Sequence, residues 1–452
     1  YLEKQMVKNL CQISHICLPF TTLYELVTRA NLLEMEKFNR HNIASRWSST
    51  SIESLLSSAA RGISAGNATD AGRMWRLPTD HPDPIVLAGG VPDETFMPLD
   101  KLVDGLTRAI EHDAEEALMY GGWFGYEKCR EAIADRQNTI EEISLSADNI
   151  IMHNGSSGCL ENILKAFLQP GDVSIIESPS YSGTVRAIQG YEATVIDVPM
   201  GKTGISPSDF RETVARLRSS GKKVKLFYTI PDYHNPMGYV TSLETRKEVL
   251  DICSKNGILI AEDAAYTELY FNSPPPPSYY ALADGHGVIK MCSFSKIVAT
   301  GLRAGWIQAR SEFTEPLTRV RFDMGNSPLV HYALADLITS GELDQHVDAM
   351  RVLYQRKCQA LLDSLHKYCD SYIDVEEPEG GYFLWVKCKQ GNALDITHAA
   401  AEEGLVFPSG SVFYLDRSQD TSHFRLAYTR APFGQLEESG KRLRRAFEKV
   451  LD

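Results

Sequence analysis

The chain predicts an α/β fold, a mostly parallel sheet with helices on both faces, followed by a smaller α+β unit. From residue 149 onward short apolar runs alternate with helical patterns, as in strands joined by crossover helices. Seven runs qualify, at 150–153, 173–176, 193–198, 224–230, 258–261, 289–292 and 306–309, with helical patterns between most of them, as at 208–219 and 242–255. Beyond residue 351 the order changes to a long helix, a Gly380-Gly381 turn into a strand at 382–386, a helix at 395–403, a strand at 424–427 and a final charged helix. Ligands of such sheets sit beyond the carboxyl ends of the strands, so the polar residues there are the candidates.

The expected organisation is an extension over 1–34, an arm over 35–95, a large domain over 96–325 and a small one over 326–452. The chain begins at Tyr1, and Met35 is the expected natural start. Net charge is −13 with a pI near 5.5. An acidic chain lacks the basic face that nucleic acid requires. The nine cysteines form no Cys-x-x-Cys pair, which points to a reducing, cytoplasmic compartment without a zinc site or disulfide framework. No apolar run is long enough to span a bilayer, and residues 11–28, preceded by Lys4 and Lys8, are broken by Gln12, Ser14, His15, Pro19 and Glu25.

Taken in order, Ser51 opens a short expected helix that Gly62 and Gly66 close. Residues 85–92 read as a strand ending in Gly89-Gly90, where glycine permits either a turn or close approach of a ligand. Residues 102–117 have helical spacing. A glycine- and aromatic-rich loop around Tyr120 then precedes a helix at 127–136, and 313–346 reads as one or two linking helices.

The strand ends carry the chemistry. Gly155-Ser156-Ser157-Gly158 is a loop at a helix start, a place that suits a phosphate or a plain N-cap. Tyr181 follows the next strand and can lie flat on an aromatic ring or simply pack. Asn235, in Asn-Pro-Met-Gly, sits in a turn and can donate to a phenolate oxygen. Asp263 ends a strand, where a buried carboxylate needs a cationic partner, with Tyr266 three residues on. Ser293, Ser295 and Lys296 follow the run 288–292, and Arg303 comes seven residues after Lys296. A partly desolvated lysine makes Schiff bases with carbonyls, and arginine and serine take an anion. One cofactor with an aldehyde and a phosphate answers both needs, pyridoxal 5′-phosphate. Arg425, inside the apolar strand at 424–427, suits a two-point grip on a carboxylate or a structural ion pair.

The joint order of these segments resembles the class I/II aminotransferases of fold type I, most closely their aminoadipate, kynurenine and aromatic branch. Ser-Phe-Ser-Lys followed by Gly-Leu-Arg-Ala-Gly is its most specific part, and the resemblance runs from about residue 49 to the end. It implies a three-layer large domain, a seven-stranded sheet and a homodimer with shared active sites. It also implies transamination, an EC 2.6.1-type reaction of amino acid metabolism. Lys296 would carry the cofactor as a Schiff base and shuttle protons. Asp263 would pair with the pyridine nitrogen, Tyr266 and Asn235 with the ring oxygen, and Tyr181 would stack on the ring. Ser156, Ser157, Ser293 and Arg303 would bind the phosphate, with Tyr120 reaching the neighbouring subunit's. Arg425 would take the substrate carboxylate, with Asn235 and Gly90 close by.

Met237, Ser157 and Thr300 depart from the family's usual Thr, Gln and Pro, outside the core chemistry. Glu53 falls where some members place an arginine for a distal carboxylate, which argues against a dicarboxylic donor. The expected substrates are an L-amino acid and a 2-oxo acid, plausibly 2-oxoglutarate. Elimination or decarboxylation on the same cofactor, or a cofactor-sensing regulator, are the alternatives.

Overall fold

A computed structural model of the chain describes residues 51–64 and 79–451, with Glu25, Trp47 and Ser48. The chain separates into two compact units, 1–57 and 58–452. In the first, Ile52–Leu55 form one 3-10 turn, supported by the Ser54 hydroxyl donating to the Ser51 carbonyl at 2.6 Å. The helix expected from Ser51 to Gly62 is not one element. The backbone turns extended at Leu56, and a separate helix, Ser58–Ser64, runs through Gly62. A helical glycine costs only about 1 kcal/mol relative to alanine, so Gly62 need not end a helix. Gly66, Met35 and nearly all of the expected 1–34 extension lie outside the described residues.

The second unit is built on an eight-stranded sheet. Its strands are β2 (Ile150–His153), β3 (Val173–Ser178), β4 (Thr194–Gly201), β5 (Gly204–Ile205), β6 (Val224–Thr229), β7 (Leu259–Asp263), β8 (Val288–Ser293) and β9 (Gly305–Gln308). A two-residue β1 (Ile85–Val86) precedes them. The spatial order is β2-β9-β8-β7-β6-β3-β4-β5. Strands β8, β7, β6, β3 and β4 are mutually parallel, and β9 runs antiparallel to both β8 and β2. The seven expected strands are therefore present. The eighth, β5, is a short hairpin return on β4. Strands β2, β3 and β8 are buried along their whole length, as strands covered on both faces must be.

The covering helices begin and end on sequence signals. Pro207–Ser219 starts with Ser206 accepting from the Asp209 amide at 3.4 Å, with proline in its first turn. Leu243–Asn256 starts with Ser242 accepting from the Thr245 amide at 3.2 Å. It ends at Gly257, whose φ of +64° lets its amide return to the Cys253 carbonyl.

A second, three-stranded antiparallel sheet joins β10 (Ile373–Val375), β11 (Phe383–Cys388) and β13 (His423–Ala427). The short β12 (Leu405–Val406) pairs in parallel with β1. The long helix starts earlier than expected, spanning Glu342–Cys369, with Glu342 and Asp344 in its positive first turn. The linking segment before it holds two helices, Ser311–Arg319 and Pro328–Thr339. The expected strand at 85–92 pairs as a ladder only at β1. Past it, the Leu87 amide donates to the Val406 carbonyl and the Leu87 carbonyl accepts from the Ala427 amide, each at 2.8 Å. This extended run carries Gly89-Gly90 across the top of the sheet. A Cβ on Gly90 would lie 2.6 Å from the Phe383 ring, so close approach, rather than a turn, requires the glycine.

A buried ion pair then pins this run to the long helix. Lys357 Nζ donates to Asp93 Oδ2 at 2.6 Å and to the Thr429 carbonyl at 2.7 Å. Burial raises the Asp93 carboxyl, and hydrogen bonds from Lys357 and Thr95 more than offset it, holding the group below its ordinary value. Lys357→Met leaves that carboxylate buried without its cation, and we expect a loss of about 3–5 kcal/mol in urea unfolding near neutral pH. The deficit should shrink as pH falls through the Asp93 titration, because a carboxyl lowered on folding stabilises only while charged.

Candidate active site

The parallel strands deliver their carboxyl ends to one edge of the sheet. Asp263 is the last residue of β7. Lys296 follows β8, Asn235 follows β6, Tyr181 follows β3, and Gly155-Ser156-Ser157 follow β2. Because β9 runs the other way, the residue just before it, Arg303, arrives at the same edge. Together they line a cleft of about 280 Å³, with Gly90, Val91, Ile230, Ala265, Tyr266, Ser295 and Thr300.

The expected loop at Gly155 is the opening turn of a helix, Gly155–Phe167. Its free amide groups and positive end face Arg303, whose guanidinium donates to the Asn154 carbonyl at 2.9 Å and the Thr300 carbonyl at 3.3 Å. Glycine is needed at 155 because its φ is +70°, and at 305 because a Cβ there would lie 2.6 Å from the Cys292 carbonyl oxygen and 2.8 Å from the Gly155 Cα. Arg303 itself sits at φ +50°, a left-handed conformation that costs a non-glycine residue of order 1 kcal/mol or more. Helix start, two serines and arginine form a seat for an anion.

Lys296 Nζ donates to the Gly90 carbonyl at 2.6 Å and lies over the Tyr266 and Tyr382 rings, 5.8 and 5.9 Å from their centroids. Burial lowers its pKa to about 8. The Asp263 carboxylate opposes the shift, and Arg425 and Arg303 add to it. Asp263 accepts from the Tyr228 hydroxyl through Oδ2 at 2.8 Å, while its Oδ1 is buried with no hydrogen-bond partner among the described residues. Burial raises its pKa to about 6, although Tyr228 and Lys296 favour the charged form. The Tyr266 hydroxyl sits beside Asn235, and burial pushes it above its ordinary value. Arg425 donates to Asn235 Oδ1 at 2.7 Å and to the Ala88 carbonyl. Its guanidinium lies between the Phe383 and Phe413 rings, 4.3 and 4.7 Å from their centroids, and burial lowers its pKa to about 10.

Three expected residues are not among those lining the cleft: Ser293, Tyr120 and Arg425, which meets it through its hydrogen bond to Asn235. Ser293 is buried behind the cleft, accepting from the Ser295 amide at 3.1 Å and donating to the Ala304 carbonyl at 3.5 Å. Ser295 lines the cleft in its stead, because side chains two apart in that turn no longer share a strand face. Tyr120 is 79% exposed and is not among the cleft-lining residues. Sequence reading did not single out Tyr228, Phe413 or the buried Glu177. Glu177 Oε1 accepts from the Thr229 hydroxyl at 2.6 Å, and its Oε2 from the Ile230 amide at 3.0 Å, fixing the end of β6 just before the turn that holds Asn235. Strand alternation could have placed Tyr228 on the face of Asp263, because both lie in recognisable adjacent runs.

The fold and this cleft define a class, the aminotransferases. The family model "Aminotransferase class I and II" matches residues 83–438, and the chain belongs to that family. It is a transaminase. It is 29% identical over 364 residues to aromatic-amino-acid aminotransferase 1 of Thermococcus litoralis, covering 80% of this chain and 87% of that one. Against the 2-aminoadipate transaminase of Thermus thermophilus it is 28% identical over 378 residues, 82% of this chain and 92% of the other. The structure of Pyrococcus horikoshii kynurenine aminotransferase, in complex with PMP and kynurenine, superposes with a TM-score of 0.81 at 28% identity, covering 89% of this chain and 98% of that one.

At pH 7 a lysine near pKa 8 is about one-tenth free amine, roughly a few hundred times the fraction in a surface lysine. In cofactor-free protein at neutral pH, limiting aldehyde with a hydride reductant should label Lys296 first, with a midpoint near 8 in peptide mapping. Labelling spread evenly over surface lysines would contradict the buried environment.

Proposed function

We propose that this cleft binds pyridoxal 5′-phosphate and moves an amino group from an L-amino acid to a 2-oxo acid. The observation that carries the proposal is the sharing of one cleft by three unmet needs. Lys296 offers an amine of lowered pKa, Asp263 keeps one buried oxygen without a donor among the described residues, and the helix start with Arg303 forms an anion seat. An aldehyde, a pyridine N–H and a phosphate answer these three in turn, so the residues present fit the cofactor.

When bound, the cofactor supplies a covalent attachment point and a sink for the electrons of the substrate α-carbon. Lys296 would hold it through Nζ, and that amine, when free, would take the substrate α-proton and give a proton back. A pKa near 8 lets one group serve as base and then as acid near neutrality. Asp263 would keep the ring nitrogen protonated, with Tyr266 and Asn235 on the ring oxygen and Tyr181 along the ring face. A Cβ on Gly183 would lie 2.5 Å from the Tyr181 ring, so Gly183 gives that ring its room. Ser156, Ser157 and Arg303 would hold the phosphate, with Ser293 supporting Ser295. Arg425 would take the α-carboxylate. Its water-poor sandwich between phenylalanines strengthens such a contact. Gly90 keeps the cleft open beside it.

Homodimerisation is supported by the surface around Tyr120. Leu118, Met119, Tyr120 and Phe322 are 62%, 64%, 79% and 86% exposed. Their two loops are locked together, since a Cβ on Gly325 would lie 2.3 Å from the Gly122 carbonyl. A rigid exposed apolar cluster of this kind is what a partner covers. Tyr120 would then reach the second subunit's cleft. The second substrate is plausibly 2-oxoglutarate, and the names of the relatives make aromatic amino acids, kynurenine and aminoadipate the first donors to try.

Single L-amino acids added to cofactor-loaded protein should each give, where accepted, the matching 2-oxo acid in stoichiometric amount with the amino group retained on the protein. Release of ammonia or carbon dioxide would contradict transamination. Arg425→Ala should lower kcat/KM for an accepted amino acid by about 100-fold or more, the cost of losing a buried charge-assisted grip.

A further inference from the structure

Tyr228 lies in β6, between β3 and β7. In the β6–β7 register it pairs with Ala261, so Asp263, two residues along, projects on the same sheet face as its diagonal neighbour. The side chain is fully buried, and its hydroxyl donates to Asp263 Oδ2 at 2.8 Å. Asp263 Oδ1 is the oxygen left over, buried and without a hydrogen-bond partner among the described residues, on a side chain that lines the cleft.

We infer that Tyr228 is a positioning residue for the cofactor: its hydroxyl occupies one oxygen of Asp263, so that the other alone is presented to the ring nitrogen and the carboxylate stays charged in a dry site. This rests on the reading of Asp263 as the partner of that nitrogen. A carboxylate free to rotate would share its charge between two geometries, and one without a donor would take up a proton instead of keeping its charge. Tyrosine suits the task. A shorter hydroxyl on the same strand would not reach across the diagonal, and phenylalanine would fill the space without donating.

The titratable groups around Asp263 are few. Lys296 is the cation that favours its charged form. Tyr181, Tyr266, Tyr228, Cys159 and Cys292 also feel its charge, and burial raises all five, so they stay neutral through the neutral range. Glu262, raised to about 7 by burial, alternates to the other face of β7, where the Tyr279 and Tyr280 amides donate to it, so Asp263, near 6, and Lys296, near 8, are the groups on the cleft side that titrate there. Removing the Tyr228 donor moves Asp263 further up, so its charge is lost at a higher pH.

The test measures the cofactor dissociation constant by tryptophan-fluorescence quenching from about pH 5.5 to 8.5, for the parent, Tyr228→Phe, Asp263→Asn and the double variant. With a donor to a carboxylate lost, the acid-side weakening of Tyr228→Phe should shift up by about one pH unit, giving about twofold weaker binding than the parent at pH 7, widening to about eightfold at pH 5.5 and vanishing toward pH 8.5. Its thermal midpoint should stay close to the parent's, and in the Asp263→Asn background the substitution should change nothing further. A Tyr228→Phe profile that superimposes on the parent, while Asp263→Asn departs from it, overturns the inference and leaves the Asp263 reading standing. An unchanged Asp263→Asn overturns that reading itself. A Tyr228 effect that persists without Asp263 overturns the inference as well. Tyr228→Met, which also lacks the hydroxyl, carries the test if the phenylalanine variant does not accumulate folded.

Discussion

A carboxylate placed at the buried end of a parallel strand is the constraint on which the rest of this molecule depends. Asp263 costs free energy where it stands, and its raised pKa records that cost. Lys296 and Arg425 carry the opposite charge into the same poorly hydrated region, where interactions between charges are several-fold stronger than in water, and the exposed Arg303 lines the cleft. None of these groups would be retained there for stability alone, since buried charges are stabilised only by close partners. The backbone turns that hold them are costly too, with Arg303 in a left-handed conformation, glycine required at 155 by its φ of +70°, and glycines required at 90 and 305 by contacts shorter than a Cβ tolerates. The sheet, with its covered strands, supplies the stability that these local costs draw on.

Much of this is legible in the residues. The seven main strands emerge from apolar runs, because strands covered on both faces are short and continuously apolar. Lys296, Asp263, Asn235, Tyr181 and Arg303 stand out because a polar residue directly beyond such a strand lies where a parallel sheet binds its ligands. The structure brings all five to one cleft. What escapes reading is set by three-dimensional neighbours. Strands β5, β10 and β12 have two or three residues and exist through their pairing, which no local pattern announces. Whether Ser293 or Ser295 faces the cleft depends on where β8 stops being a strand. Gly62 reads as a stop and is a helical residue. The glycine at 90 could be a turn or a close approach, and only the position of Phe383, nearly three hundred residues on, decides.

The second sheet contributes to the site in a way its own sequence hides. In the β11–β13 register Arg425 pairs with Trp385, two residues from Phe383 on the neighbouring strand, so Phe383 and Arg425 are brought together by antiparallel pairing. Phe383 meets three functional elements at once: it flanks Arg425, it abuts Gly90, and its ring lies edge-on to Tyr266. Arg425 and Tyr266, proposed above to grip the carboxylate and the ring oxygen, thus share one packed aromatic wall. Change in one is transmitted to the others because packed interiors yield little.

The central claim is that Lys296 is the residue that carries the cofactor. Borohydride reduction of the cofactor-loaded protein, followed by proteolysis and mass spectrometry, tests it directly. The account predicts one phosphopyridoxyl-bearing peptide, with the modification on Lys296. A modification on another lysine, such as the fully buried Lys290, or protein that takes up the cofactor without any reducible link, would contradict it.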